Sequence, residues 1–343
     1  MDKSVKKNPL TIPYLIALIL SVTGILAYAG WSFAFDGYDG KEYPLTIPAG
    51  SSEEAIADSL SNVDPSFGFK VRIIRKIAGG KTSKAEGYYL IKPGMTPVDL
   101  ARKLKRGEQT PIRLTFNNIR TLDQFAEKVS SQFDFSTEEF LSAADSVLQP
   151  AGFRDRKEYP AAFIPDTYEF YRNTSPQKVI STLLKYRNRF WDDERRQKAA
   201  EMNLNPVKVA TIASIVEEES AKTSERPVIA ALYLNRLKKG MPLQADPTVK
   251  FALGDFSIRR ITGDMLKVSS PYNTYRNPGL PPGPIRIPDK RTLQQVLDAP
   301  EHNYIYMCAK EDFSGYHNFA SDFATHQKNA AKYRAELNRR GIN

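Results

Sequence analysis

Between Thr11 and Ala34 the chain carries no charged side chain and is rich in Leu, Ile, Ala and Val. A helix over that stretch rises about 36 Å, enough to cross the hydrocarbon layer of a bilayer. The flanks agree. Met1–Leu10 is basic through Lys3, Lys6 and Lys7, and Tyr28, Trp31, Phe33 and Phe35 crowd the far end as interfacial aromatics do. The apolar run is longer than a signal-peptide core and lacks a small-x-small site with a polar flank. The expectation is a single signal anchor, amino terminus in the cytoplasm and the bulk of the chain outside.

That placement narrows the meaning of a net charge of +10, from 49 basic and 39 acidic side chains. An anionic membrane surface or an acidic polymer fits a basic exported protein, and nucleic acid does not. The single cysteine, Cys308, cannot form an internal disulfide, so the exported part folds without one. It sits in Tyr304–Ala309, which reads as a buried strand with a core thiol.

After a spacer over 35–41, one pattern occurs twice. Glu42–Ile47 reads as a strand, followed by a turn, Ser52 as a cap and a helix over Glu53–Ser61. Glu86–Ile91 reads as a strand, followed by Lys92-Pro93-Gly94-Met95, Thr96 as a cap and a helix through Gly107. Phe69–Ile77 mixes aliphatic with basic residues and fits a helix or a strand. A small sheet covered by two helices accounts for residues 42–110. Beyond it, Pro111–Phe116 reads as a strand, Asn117–Gln132 as a turn and amphipathic helix, and Phe135–Leu148 as a helix capped by Ser136. Ala161–Phe170 is an acidic-aromatic loop of the kind that suits a sugar, or one that simply packs. Val179–Ala200 reads as one long helix. Leu293–Leu297 reads as a short helix, Phe313–Ala320 as a hairpin and Phe323–Asn338 as a closing helix. The fold class is α+β: the anchor, a small α/β domain, and a larger mixed domain over 111–343 with a helical core.

Two stretches hold chemistry. Asn205-Pro206 opens an apolar helix that ends in Glu217-Glu218-Glu219-Ser220, and a second helix over Glu225–Lys239 stops at Gly240. At roughly 100° per residue, Glu218 points away from the apolar side and Glu217 and Glu219 flank it. A carboxyl half-buried against branched aliphatics is poorly solvated, so its pKa rises towards neutrality, as a general acid requires. Periodicity does not choose between Glu217 and Glu219, and three acids at a solvated helix end fit the same pattern. The second stretch is Pro271–Pro284, with five prolines that exclude a helix or a central strand. It presents Tyr272, Asn273, Tyr275 and Arg276 on a stiff loop. His302, His317 and His326 lack metal-ligand spacing, Gly79-Gly80-Lys81 lacks the rest of a phosphate loop, and no Gly-x-Ser-x-Gly element is present. No metal or cofactor is implied.

Ala213-Ser214-Ile215-Val216-Glu217-Glu218-Glu219, Asn235-Arg236-Leu237, Gly240-Met241-Pro242-Leu243-Gln244 and Asp246-Pro247-Thr248 together resemble the YceG-like endolytic murein transglycosylases, the MltG family. Tyr272-Asn273-Thr274-Tyr275, Gly279–Ile285, Pro165-Asp166-Thr167-Tyr168 and the Gly315–Phe319 element continue the resemblance in the same order. The resemblance implies a single-pass membrane enzyme that cuts the β-1,4 bond between N-acetylmuramic acid and N-acetylglucosamine within peptidoglycan strands. It implies a 1,6-anhydro-muramic acid product end, the ending of nascent strands, and work beside the wall-polymerising machinery. It places the catalytic acid on Glu219 and gives the segment before residue 110 a LysM-like, glycan-binding fold. Substrate contacts are expected from Asp166, Tyr168, Asn235, Gln244, Asp246, Thr248, Tyr272, Asn273, Tyr275 and His317.

Two departures are visible. Relatives often read Pro-Glu-Gly where this chain has Thr115-Phe116-Asn117-Asn118. They often carry lysine at Glu218, so the extra charge here is expected to raise the pKa of Glu219 further. Two rival functions stand beside the resemblance: a non-catalytic wall-binding scaffold, and a muramidase that uses water with Asp246 or Asp166 as second carboxylate.

Overall fold

A computed structural model describes residues 11–258 and 260–341; the expected tail over 1–10 lies outside them. The apolar run forms α1 (Thr11–Phe35). It is long and apolar enough to cross a membrane, and the rest of the protein covers none of its apolar window.

By its contacts the chain divides into two units. The first runs to Ile112 and includes Glu169–Asn173. After α1 come β1 (Tyr43–Ile47), α2 (Glu53–Ser61), α3 (Pro65–Ile77), α4 (Thr82–Ala85), β2 (Gly87–Ile91) and α5 (Pro97–Arg106). The two copies of the sequence pattern meet: β1 and β2 pair antiparallel, with Tyr43 opposite Ile91 and Ile47 opposite Gly87. Ser52 and Thr96 cap the following helices, accepting from the backbone N–H of Ala55 and Asp99. The expected two covering helices, α2 and α5, are joined by α3, because the undecided stretch is helical, and by the short α4. Asp64 caps α3 by accepting from Phe67 N, and Pro65 fills the first turn. Spacing of three and four then sends Phe67, Val71 and Ile74 into a core with Leu45, Ile56, Tyr89, Leu100 and Leu104. Arg75 goes inward too, donating Nη2 to Glu53 at 2.7 Å.

The second unit holds Arg113–Tyr168 and Thr174 onward. Its elements begin with β3 (Ile112–Thr115), α6 (Leu122–Ser130), α7 (Thr137–Leu148) and β4 (Thr167–Phe170). Thr121 with Gln124, and Ser136 with Glu139, form reciprocal capping boxes at α6 and α7. The long helix expected over 179–200 is two, α8 (Pro176–Phe190) and α9 (Asp193–Glu201). Trp191 is buried with φ −84° and ψ 68°, outside helical backbone, and Asp192 restarts the helix by accepting from Arg195 N.

α10 (Pro206–Glu219) is the centre of this unit, packed against α9, α11 (Arg226–Lys238), α12 (Asp246–Leu253) and α13 (Lys290–Leu297). Every residue from Val209 to Glu217 is buried, so the helix has no solvated side along that run. The proline-rich stretch crosses beside it without regular structure. It is pinned where Ile285 N donates to Ser214 Oγ at 3.0 Å. Gly283 permits the crossing: a Cβ there would stand 1.9 Å from the carbonyl oxygen of Lys157.

β5 (Tyr306–Ala309) and β6 (His317–Ala320) pair antiparallel, with Tyr306 opposite Ala320, and α14 (Phe323–Arg339) packs on them. Cys308 is half-buried, not in a core as expected, because a two-stranded sheet under one helix keeps its strand residues partly open. Small antiparallel pairs beside a larger helical part make the fold α+β.

Candidate active site

Periodicity leaves Glu217 and Glu219 equivalent; their surroundings do not. Both oxygens of Glu217 are engaged, one by Arg286 Nη2 at 3.0 Å and the other by Asp289 N at 2.9 Å. Burial raises its pKa, and Arg286 pulls the other way. Glu218 is not a solvated acid: Arg286 Nη1 lies 2.8 Å from it and Arg120 Nη2 3.2 Å. Glu219 has no basic side chain within ion-pair distance among the described residues. Tyr233, one helix away on α11 and buried, donates its hydroxyl to Glu219 Oε1 at 2.6 Å. Oε2 has no protein hydrogen-bond partner among the described residues.

The Glu219 side chain keeps part of its surface open while its carboxyl group is densely surrounded by protein. Burial pushes its pKa up to about 7; the Tyr233 hydroxyl opposes this and the charge of Asp246 reinforces it. Asp246 is thus the like charge that acts most on Glu219, while Glu218 is paired with Arg286 and Arg120. A carboxyl group that gains and loses a proton near neutrality, with one oxygen held and the other free, can act as acid and then as base.

The loop after Gly240 is shaped by Arg236, a buried residue that sequence reasoning passed over in favour of its neighbour Asn235. Its Nη1 donates to the carbonyls of Pro242 at 3.1 Å and Leu243 at 2.8 Å and to Gln244 Oε1 at 3.2 Å, while Nε donates to Ile305 O at 2.6 Å. Gln244 takes a left-handed φ of 53°. Ala245 N donates to Thr274 Oγ1 at 3.0 Å, and the Thr248 and Thr274 hydroxyls meet at 2.8 Å. Asn273 donates Nδ2 to the carbonyls of Leu266 and Val268, both at 2.9 Å, and accepts from Tyr275 N at 3.0 Å. The result aims Tyr275, whose hydroxyl donates to Asp246 Oδ1 at 2.6 Å. Burial and Asp246 both raise the pKa of that phenol, so it stays a donor.

Of the expected substrate contacts, Asp246 and Tyr275 lie close enough to act electrostatically on Glu219, and Gln244 is tied to Arg236, which does the same. Asn273 and Thr248 are buried, with their polar atoms spent on the protein, and shape the loop from within. Asn235 donates Nδ2 to the carbonyls of His302 at 2.6 Å and Tyr304 at 3.1 Å. Tyr272 packs its ring 4.6 Å from that of Phe251. His317 bonds Glu225 through Nδ1 at 2.8 Å and its backbone N at 2.7 Å, bracing the turn after α10. Tyr168 is buried, stacked on Phe116 and donating to Ile164 O at 2.6 Å. Asp166 accepts from the Tyr186 hydroxyl and from Thr167 N, and these bonds hold its pKa down. In this stretch Tyr168 is packed structure, while Asp166 keeps an exposed carboxylate.

Sequence reasoning missed Tyr233, Arg236 and Arg286. The available signal was a tyrosine and an arginine three apart on the second helix, a spacing that puts both on one face. Asn118 takes φ 51° and accepts from Arg286 at 3.1 Å. A cavity of about 1370 Å³ lies elsewhere in this unit, lined by Lys208, Leu234, Asn235, Lys238 and Leu280 among others. Glu219 does not line it.

The chain is similar to known proteins along most of its length. An endolytic murein transglycosylase of Bacillus subtilis (strain 168) is 30% identical over 319 residues, covering 86% of this chain and 85% of its own. One of the same description from Streptococcus pneumoniae serotype 2 is 27% identical over 94% of this chain, which spans 64% of that longer protein. The crystal structure of a yceG-like protein from Listeria monocytogenes is 27% identical, with a TM-score of 0.54 over 84% of this chain and 99% of that one. The model of the YceG-like family matches residues 45–332, from β1 into α14, and the chain belongs to that family.

Proposed function

We propose that the chain is a single-pass membrane enzyme that cleaves peptidoglycan glycan strands internally, as an endolytic lytic transglycosylase. Relatives of that description, matched over most of the chain, support the substrate class. The observation that carries the chemistry is the isolated, half-open Glu219 with a pKa near 7 and one oxygen held by Tyr233.

One such acid suffices. Protonated Glu219 gives its proton to the glycosidic oxygen between N-acetylmuramic acid and N-acetylglucosamine as the bond to C1 breaks. The C6 hydroxyl oxygen of the same muramic acid closes on C1, and its proton passes to the Glu219 carboxylate. The acid is regenerated, a 1,6-anhydro end is left and no water is consumed. Asp246, oriented by Tyr275, lies where negative charge favours the oxocarbenium-like state, and Gln244 offers its amide to the sugar. Asn273 and Thr248 hold the loops that carry these groups, Asn235 holds the stretch from His302 to Tyr304, Tyr272 packs on Phe251, and His317 braces the turn after Glu219.

In this reading α1 is the transmembrane helix over 11–34, with a cytoplasmic tail over 1–10 and a spacer over 35–41. Residues 42–110 form a LysM-like glycan-binding domain, and residues 111–343 the catalytic domain, facing the wall. Nascent strands ended beside the polymerising machinery are the natural substrate.

A second reading has support in one observation: Asp246 is electrostatically coupled to Glu219, as the second carboxylate of a water-using muramidase would be. Mass spectrometry of products from purified glycan strands decides, with the full chain in detergent beside Glu219→Gln and Asp246→Asn. Anhydro ends from the parent that vanish in Glu219→Gln support the transglycosylase. Reducing ends that vanish in Asp246→Asn support the muramidase. Binding without cleavage by the folded parent would leave a wall-binding protein.

A further inference from the structure

We infer that the exposed face of α3 lies on the membrane surface and binds the headgroup layer of an anionic phospholipid bilayer. The inference rests on the reading of α1 as a membrane span, and its first support is depth. The ring of Phe69 on α3 meets that of Phe33 on α1 edge-on, with centroids 6.4 Å apart. Lys70 Nζ lies 4.0 Å from Asp36, the first residue after α1. Phe33 stands among Tyr28, Trp31 and Phe35, the aromatic end that a bilayer interface takes. A side chain that touches Phe33 sits at that same level, so α3 begins at the headgroups.

The second support is the composition of the face. Phe67, Val71 and Arg75 point into the core, which turns the opposite side of α3 outward. There Phe69 is 48% exposed and Ile77 82%. With half-buried Ile73 they form one i, i+4 row, and exposed Arg72 and Lys76 form the row beside it. The Arg72 guanidinium stands 5.4 Å from the centre of the Phe69 ring. No acid occurs between Pro65 and Ile77. A helix face of aromatic, aliphatic and basic side chains, met by α1 at Phe69, matches the interface between acyl chains and anionic headgroups. Water alone gives an isoleucine at such exposure nothing.

The test uses the full chain in phosphatidylglycerol-containing vesicles, with Cys308→Ala and an environment-sensitive fluorophore on Ile77→Cys. Brominated lipids serve as quenchers, and the same probe on Ala55→Cys, exposed on α2, is the reference. Quenching at position 77 at least about twofold above that at 55, with blue-shifted emission, is expected for a helix in the interface. Adding Arg72→Glu and Lys76→Glu should abolish the difference. Equal quenching at the two positions with water-like emission would overturn the inference. So would emission that shifts only when purified glycan strands are added, which would give the face to glycan. Trp31 quenching in the same vesicles reports the anchor separately; its absence would overturn the membrane span itself.

Discussion

Glu217 and Glu219 lie two residues apart on one helix and meet opposite surroundings, which makes the site testable residue by residue. A carboxyl with a pKa near 7 is protonated below that pH, so cleavage limited by a general acid falls about tenfold per pH unit above it. Tyr233→Phe removes a donor to the carboxylate and should move this alkaline limb upward, whereas Asp246→Asn removes a like charge and should move it downward. A pH–rate series on the three chains checks both signs. Linkage gives a companion result. The folded-state value stands above the ordinary 4.5, so this group's contribution to stability is present below about 4.5 and lost as pH rises through about 7. Glu219→Gln should therefore be more stable than its parent at pH 8, by about 1–3 kcal/mol in denaturant unfolding. Arg286→Ala acts in the other direction. It strands the buried Glu217 and should cost about 3 kcal/mol in the same measurement.

Elements were legible where their ends are written in local chemistry. Ser52, Thr96 and Ser136 cap the helices expected of them, and Gly107 ends α5 in a left-handed conformation. The elements that departed are those whose limits depend on distant partners. The pattern from Val179 to Ala200 continues through the break, and burial of Trp191 decides it. The strand around Cys308 has a core-like composition and too few neighbouring strands to make one. At this scale the proline-rich loop gives a direct test. Gly283→Ala drives a methyl into the carbonyl of Lys157, 1.9 Å away, and should destabilise the chain by about 2 kcal/mol or more. Thermal unfolding checks this, and Gly279→Ala, at φ 81° with open space around it, separates clash from backbone strain.

For the whole molecule the governing fact is one helix whose apolar window nothing in the protein covers. Carbonate extraction should leave the full chain in the membrane pellet. Changing Ile19 and Leu20 together to Asp, at about 3 kcal/mol each near a bilayer centre, should release it. That helix, the capped elements and the candidate acid pair were determined by the sequence alone, because hydropathy, cap chemistry and helical period are local properties of the chain. Periodicity leaves Glu217 and Glu219 tied and the resemblance chooses Glu219; only the tertiary structure supplies a physical difference between them, because that depends on where Arg286, Asp289 and Tyr233 arrive from other elements. The same holds for Asp246, aimed by Tyr275 across a loop that Asn273 and Arg236 hold in shape. A carboxyl's acidity is set by its neighbours in space, and no period along the chain records them.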